Sequence, residues 1–263
     1  MMGYVGTVSL YSSLLALGYV VALFRRGKET LTDGATLQGR LPPLKPLKKC
    51  GLPEGKGLPI LYPTVETFCM NLACMCLPTF PISVIGGVLA CYRATMHRPI
   101  QETETLTYRQ RLLPKMQQTE KGDTEFDMSV SVLSATGELL WEDTSTFLSF
   151  GKQRQGNSKQ REPELDARSF QASETWQLST QDGPQFAALN GDINFIHLHP
   201  ILARLFGFKS NIAHGVYLVS KSIAAMQTGK QQQYPQAVCA SFKRPAVLPG
   251  HFTCHWQQGC EAM

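Results

Sequence analysis

Hydrophobic and polar positions along this chain change period several times, and each change marks an element. Residues 3–24 carry no charged side chain. A helix over that run would be about 33 Å long at about 1.5 Å per residue, enough to cross a hydrocarbon core of about 30 Å. Residues 29–60 contain PPLKPLKKCGLPEGKGLP, whose density of Pro, Gly and Lys predicts a linker. From Tyr62 to about Tyr92 the chain is apolar again, broken by Pro78 and Pro81. Two short helices are expected there, Val65–Cys76 and roughly Ile82–Cys91, parted at the prolines. Glu66 and the two prolines favour a buried core element over a further membrane span.

Strand periodicity follows. Thr105–Leu112 is a candidate strand, and Phe126, Met128, Val130 and Val132 alternate with Asp127, Ser129 and Ser131 at period two. Ser134-Ala135-Thr136-Gly137 is a turn, and Leu139–Ser149, rich in β-branched and aromatic residues, is the returning strand. The polar stretch 151–164 reads as a second linker. From Leu165 the pattern restarts with a short strand, Ser173–Leu178, and a helix opened by Asp182-Gly183-Pro184. A short helix at Pro200–Phe206 ends at Gly207, and a longer one spans Ala213–Thr228 with Val216, Val219, Ile223 and Met226 on one face. Strands at Ala237–Lys243 and His251–Trp256 close the pattern. A long helix followed by antiparallel strands, met twice, predicts an α+β chain of two related halves.

Composition agrees with a folded chain: of 263 residues, 43% are hydrophobic and 17% charged. The net charge of +5 changes the picture only through its position. Residues 1–60 hold eight Lys/Arg against three Asp/Glu, and the rest of the chain holds 17 of each sign. A nucleic-acid binder would carry its positive charge on the folded domain, so no nucleic-acid partner is expected. Arg25, Arg26 and Lys28 follow the apolar run at once. No positive charge precedes that run, unlike a secretory signal, and the positive-inside rule keeps the remainder of the chain in the cytosol. The expected location is therefore a single-pass membrane protein with its folded part in the cytosol; endoplasmic reticulum and mitochondrial membranes both fit. The eight Cys are irregularly spaced and no His completes a zinc site, so free thiols in a reducing compartment are expected.

The chemistry concentrates in FAALNGDINFIHLHPILARLFGFKSNIAHG, Phe186–Gly215. Asp192, Asn194 and His197 fall within six residues at a helix end. A carboxylate and an imidazole this close can share one water, the carboxylate orienting it and the imidazole moving a proton near neutral pH. Asn194 can hold either partner by a neutral hydrogen bond. His214-Gly215 opens the long helix, whose first turn offers unpaired N–H groups, and Gly215 lets a ligand approach them.

This stretch resembles the MaoC-like family of (R)-specific enoyl-CoA hydratases and 3-hydroxyacyl dehydratases, which have the hot-dog fold. The family pattern is close to S-G-D-x-N-P-I-H, then a spacer ending G-F-x-x-x-I-A-H-G; here the chain reads NGDINFIH and GFKSNIAHG. The resemblance puts Asp192, Asn194 and His197 on catalytic positions and Gly215 on the glycine whose N–H polarises the thioester carbonyl. His214, Phe195 and Tyr217 are the expected substrate contacts. Asn190 stands where Ser is usual and Phe195 where Pro is usual, which puts acyl preference in question. SFKRPAVLPG (Ser241–Gly250) is similar to the strand and Pro-Gly turn that follow in the family. LYPTVETFCMNLACMCLPTFPISVIGGVLA resembles the N-terminal half of double-hot-dog members, a half that usually lacks the catalytic motif.

The implied fold is α+β, a double hot-dog with an antiparallel sheet wrapped round a long helix twice, its C-terminal half short of strands, preceded by a transmembrane helix. The boundaries are an anchor at 1–24, a linker at 25–60, an N-terminal half at 61–150, a linker at 151–164 and a C-terminal half at 165–263. The implied reaction is hydration of trans-2-enoyl thioesters or its reverse, with no metal or redox cofactor. The partners implied are an acyl thioester on CoA or acyl-carrier protein, the membrane, and a second copy joined through the sheet. A membrane-tethered hot-dog protein that binds thioesters without turning them over is the alternative. For the anchor, the expected outcome of alkaline carbonate extraction is retention in the membrane pellet; release into the supernatant overturns it.

Overall fold

The computed structural model describes residues 36–40, 57–75, 80, 87–101, 103–119, 122–149, 170, 172–227 and 233–256. The expected anchor at 3–24 and the linker at 151–164 lie outside them. Among the described residues, no helix is long and apolar enough to cross a membrane. In chain order the elements are β1 (Thr36–Arg40), α1 (Tyr62–Met75), β2 (Val88–Met96), β3 (Leu106–Gln118), β4 (Thr124–Ser134) and β5 (Leu139–Ser149). Then come β6 (Ala172–Leu178), α2 (Asp182–Asn190), α3 (Phe195–Leu198), α4 (Pro200–Leu205), α5 (Gly215–Gln227), β7 (Gln236–Ser241) and β8 (Gly250–Trp256).

Six strands make one antiparallel sheet in the order β1-β3-β4-β5-β2-β7. The period-two pattern of β4 holds: Phe126, Met128, Val130 and Val132 are buried, while Asp127, Ser129 and Ser131 are half-exposed. On that buried face α1 lies with Phe68, Leu72 and Met75, spaced i, i+4, i+7, against Leu112, Phe126, Met128 and Phe147. Burying a side chain of this size contributes about 1.5–3 kcal/mol, so this seam is a large part of what holds the first half together. Trp141 adds a fixed point, since its indole N–H donates to the Ile60 carbonyl at 2.8 Å.

The long helix α5 bridges two sheets. Ile223 is buried with Tyr92, Met96 and Trp141 of the six-stranded sheet, and Val219 and Met226 pack there too. Elsewhere on α5, Tyr217, Leu218 and Ala225 pack against Trp176, Leu178 and Leu248 around the two-stranded sheet β6-β8. The two halves share an order: β6, α5, β7 and β8 follow one another as β1, α1, β2 and β3 do, and β6 pairs with β8 as β1 pairs with β3. In the first half β4 and β5 stand between β3 and β2; among the described residues nothing stands between β8 and β7.

Two expectations are corrected. The helix expected over Ile82–Cys91 is contradicted at its C-terminal end, because Val88–Met96 is a strand paired with β5 on one side and β7 on the other. A short apolar run fits either period, and here two neighbouring strands decide it. Within the stretch expected as linker, Thr36–Arg40 is the edge strand β1, in register with Thr107–Arg111 of β3. Its main-chain pairing gives the edge, and a polar edge strand leaves no hydrophobic signature.

One buried acid lies outside the helix–sheet seams. Asp143 on β5 accepts a hydrogen bond from Val130 N–H through Oδ1 at 2.9 Å, while its Oδ2 has no partner. Burial pushes its pKa up to about 8. Between the ordinary carboxyl range and that value the folded chain holds a proton that the unfolded chain lacks, so this group's contribution to stability falls as pH rises through the window. Asp143→Asn keeps the acceptor and cannot ionise. It is expected to raise the thermal midpoint by several degrees at about pH 9 and to change it little at about pH 4, measured by calorimetry.

Candidate active site

The second half builds its site from one loop and one helix start. Helix α2 ends at Gly191, whose φ of 72° is left-handed and whose N–H caps the Ala187 carbonyl at 2.9 Å. The chain then turns through Asp192 and Asn194. Asn190 Oδ1 accepts from Asp192 N–H at 2.9 Å, Asp192 Oδ1 accepts from Asn194 N–H at 3.1 Å, and Asn194 Oδ1 accepts from Ile196 N–H at 3.4 Å. Each short polar side chain thus satisfies the next main-chain donor, and Asn194 caps α3. Asn194 Nδ2 also donates to the Gly87 carbonyl at 3.3 Å, tying the loop to the first half just before β2.

His197 is held from two sides. Its Nδ1 lies 2.8 Å from the Ile212 carbonyl. A carbonyl only accepts, so Nδ1 carries the proton and, in the neutral ring, Nε2 is left as an acceptor facing the cavity. The main chain of His197 is fixed by Asn211, fully buried, whose Nδ2 donates to the His197 carbonyl at 3.0 Å and the Thr180 carbonyl at 2.8 Å. Asp192 Oδ2 lies 3.8 Å from His197 Nε2 and 3.6 Å from His214 Nε2. The two imidazoles stack, centroids 3.7 Å apart and planes 23° from parallel. Burial pushes the Asp192 carboxyl up, opposed by the charge of His197 and the Asn194 N–H. Burial also pushes His214 well down, helped by His197 and opposed by the main-chain carbonyl of Asp192, which keeps its ring neutral.

These side chains open on a cavity of about 550 Å³. Phe68, Leu72 and Met75 of α1 line it from the first half, Asp192, Asn194 and His197 from the second, and Lys243 and Arg244 stand at its border. Gly215 lies against it as the first residue of α5, so its N–H has no partner within the helix. The ligand atoms of Asp192, His197 and His214 lie within 4.8 Å of one another, near enough for a metal ion. However, stacked rings aim their lone pairs side by side and not at one point, so a metal would require one ring to rotate.

Of the expected residues, Asp192, Asn194, His197, His214 and Gly215 come together here. Two stand elsewhere. Phe195 packs against the core of α1 and the first sheet. Tyr217 stacks on Phe186 at 5.1 Å and donates through its hydroxyl to Asp182 Oδ1 at 3.0 Å. Helix phase explains the second case, since Val216 and Leu218 line the cavity and the intervening side chain is turned about 100° away. His199, expected to be structural, caps α4 by accepting from Ile201 N–H at 3.2 Å. Asn211 and the α1 wall are not foreshadowed in the sequence. The apolar spacing of α1 marked a buried face but gave no hint that part of it lines a cavity.

Comparison with known proteins bears on one segment of the chain. Residues 163–249 match the model described as MaoC like domain. This segment is a MaoC-like domain. The 3-hydroxyacyl-thioester dehydratase X of Mycobacterium tuberculosis (strain ATCC 25618 / H37Rv) is 27% identical over 201 residues, covering 76% of this chain and 69% of that protein. A crystal structure of HtdX from the same organism superposes with a TM-score of 0.68 at 23% identity, covering 82% of this chain and 85% of that one. The full-length peroxisomal multifunctional enzyme type 2 from Drosophila melanogaster gives 0.55 at 20% identity, over 74% of this chain and 36% of that one. The antiparallel sheet laid on the long helix α5, together with the superposition on HtdX, marks the hot-dog fold.

Gly183 is the tightest point under the site. A Cβ there would stand 2.1 Å from the His197 carbonyl and 3.0 Å from Asn211 Nδ2. Gly183→Ala is expected to lower stability by about 1–3 kcal/mol and to shift the His197 ring resonances, read by denaturant titration and NMR. Wild-type stability in that variant overturns this account of the loop.

Proposed function

We propose that this chain hydrates trans-2-enoyl thioesters to (3R)-3-hydroxyacyl thioesters and catalyses the reverse dehydration. The observation that carries the reading is the buried pair of Asp192 Oδ2 and His197 Nε2, 3.8 Å apart at the wall of an otherwise largely apolar cavity. The similarity to a 3-hydroxyacyl-thioester dehydratase supports it. A water between the two groups is deprotonated by His197 Nε2 as its oxygen adds to the β-carbon. Asp192, whose raised pKa favours the protonated form, gives its proton to the α-carbon. The negative charge that develops on the thioester oxygen meets the Gly215 N–H. Proton transfer from His197 back to Asp192 restores the pair.

The finer architecture we propose is a double hot-dog in which the first half supplies a wall and the second supplies the chemistry. The matching element order of the halves supports this reading. The substrate is an acyl thioester on CoA or acyl-carrier protein, and no metal or redox cofactor enters the reaction. The apolar run 3–24 with Arg25, Arg26 and Lys28 behind it supports a membrane-held chain with its folded part in the cytosol.

Loss of enoyl-thioester absorbance on adding the purified chain to crotonyl-CoA is the direct test. Asp192→Asn is expected to abolish it while circular dichroism stays native, since general acid–base catalysis supplies about 10²–10⁴. In the wild type, kcat/KM for hydration is expected to fall as pH rises through the elevated ionisation of Asp192. Full activity of the Asn variant overturns the assignment.

A further inference from the structure

His214 stands beside the acid–base pair, yet the reaction above gives it no step. At 3% exposure it is more deeply buried than Asp192 or His197, and neither ring nitrogen reaches hydrogen-bond geometry with a partner, although the main-chain carbonyl of Asp192 favours its charged form. Two buried polar atoms outside hydrogen-bond geometry are unfavourable, and a phenyl ring would fill the same space without them. What the ring faces accounts for it. The stack on His197 and the tilted contact with Phe186, centroids 5.1 Å apart, fix its plane, and Nε2 is 3.6 Å from Asp192 Oδ2. That distance is too long for a hydrogen bond to the resting group and short enough to close when charge appears there.

The other titratable groups around it are accounted for. Asp192 and His197 face it from the loop and α3. On the helix that follows it, the Tyr217 hydroxyl donates to Asp182. Lys243 and Arg244 border the same cavity from the segment after β7. Burial keeps His214 neutral, and the tautomer with its proton on Nε2 presents an N–H toward Oδ2 without a full positive charge.

We propose that His214 is a positioning residue that acts through Asp192: its Nε2–H meets the negative charge that forms on Oδ2 when the carboxyl proton leaves for the substrate. A contact between neutral groups in the resting site becomes a charge-assisted hydrogen bond at the transition state. The stabilisation is therefore absent from the ground state and appears in kcat. This role rests on the hydratase reading.

The test compares the full chain with His214→Phe, which keeps a flat ring and loses the nitrogen, and His214→Gln, which offers an amide N–H. The Phe variant is expected to lower kcat for crotonyl-CoA hydration by about 10- to 100-fold with KM nearly unchanged, part of the about 10²–10⁴ supplied by the acid–base pair. The titration of the Asp192 carboxyl carbon, followed by NMR, is expected to move up by about one pH unit as its ionised form loses a donor. The alkaline limb of kcat/KM moves with it, and Gln restores most of both. If the Phe variant folds poorly, Gln against Met, matched in length with and without the amide, makes the same comparison. An Asp192 titration unmoved in His214→Phe, or a Gln variant no better than Phe or Met, overturns the proposal. A wild-type chain inactive on enoyl thioesters overturns the proposed function instead, and the carboxyl titration, which needs no turnover, still decides the role of His214.

Discussion

The two hydrogen bonds donated by Asn211 set the geometry on which the rest of the site depends. One amide nitrogen joins the main chain of His197 to that of Thr180, in the turn before α2. The flanking backbone adds to the clamp: Leu248 N–H donates to the Asn211 carbonyl at 2.8 Å and Ile212 N–H to the Ile196 carbonyl at 3.0 Å. Three stretches distant in sequence are thereby held at hydrogen-bond tolerance. An unpaired buried amide costs about 1–3 kcal/mol, so loosening any one of the three is penalised by the other two. The reactive imidazole rests on that frame and contributes little to its own support beyond Nδ1.

Burial does two different jobs around this frame. In the first half it stabilises, by laying the apolar face of α1 on β3, β4 and β5. In the second half it tunes, because removing Asp192 and His214 from water raises one pKa and lowers the other. The two effects meet in the cavity, whose apolar wall comes from the same α1 residues that stabilise the first sheet. A side chain such as Phe68 therefore serves stability and substrate space at once, and the two uses constrain its volume in opposite directions.

Much of the site was legible in the sequence because its polar groups are close together along the chain. Asp192, Asn194 and His197 lie on one short turn, and short-range hydrogen bonds such as those of Asn190 and Asn194 follow from spacing alone. His214 and Gly215 were legible through their place at the start of a helix. What the sequence hid was long-range. Asn211 carries no motif, since its partners are main-chain carbonyls that any residue could supply. The strand at Val88–Met96 was masked by an apolar run that suits either period, and only pairing with β5 and β7 resolves it. Thr36–Arg40 is held by main-chain bonds at a polar edge, where side chains carry no signal. Tyr217 packs on Phe186, a contact set by helix phase that residue type does not reveal.

The bond from Asn194 Nδ2 to the Gly87 carbonyl has a meaning for how such a chain can diverge. A half that lends the cavity only a wall looks free to drift, but Gly87 sits at the entry to β2, the strand that carries β7. Any change that slides that strand also lifts the reactive turn. The two halves are thus not interchangeable cassettes: a first half grafted from a relative has to reproduce the height of one carbonyl as well as a matching surface.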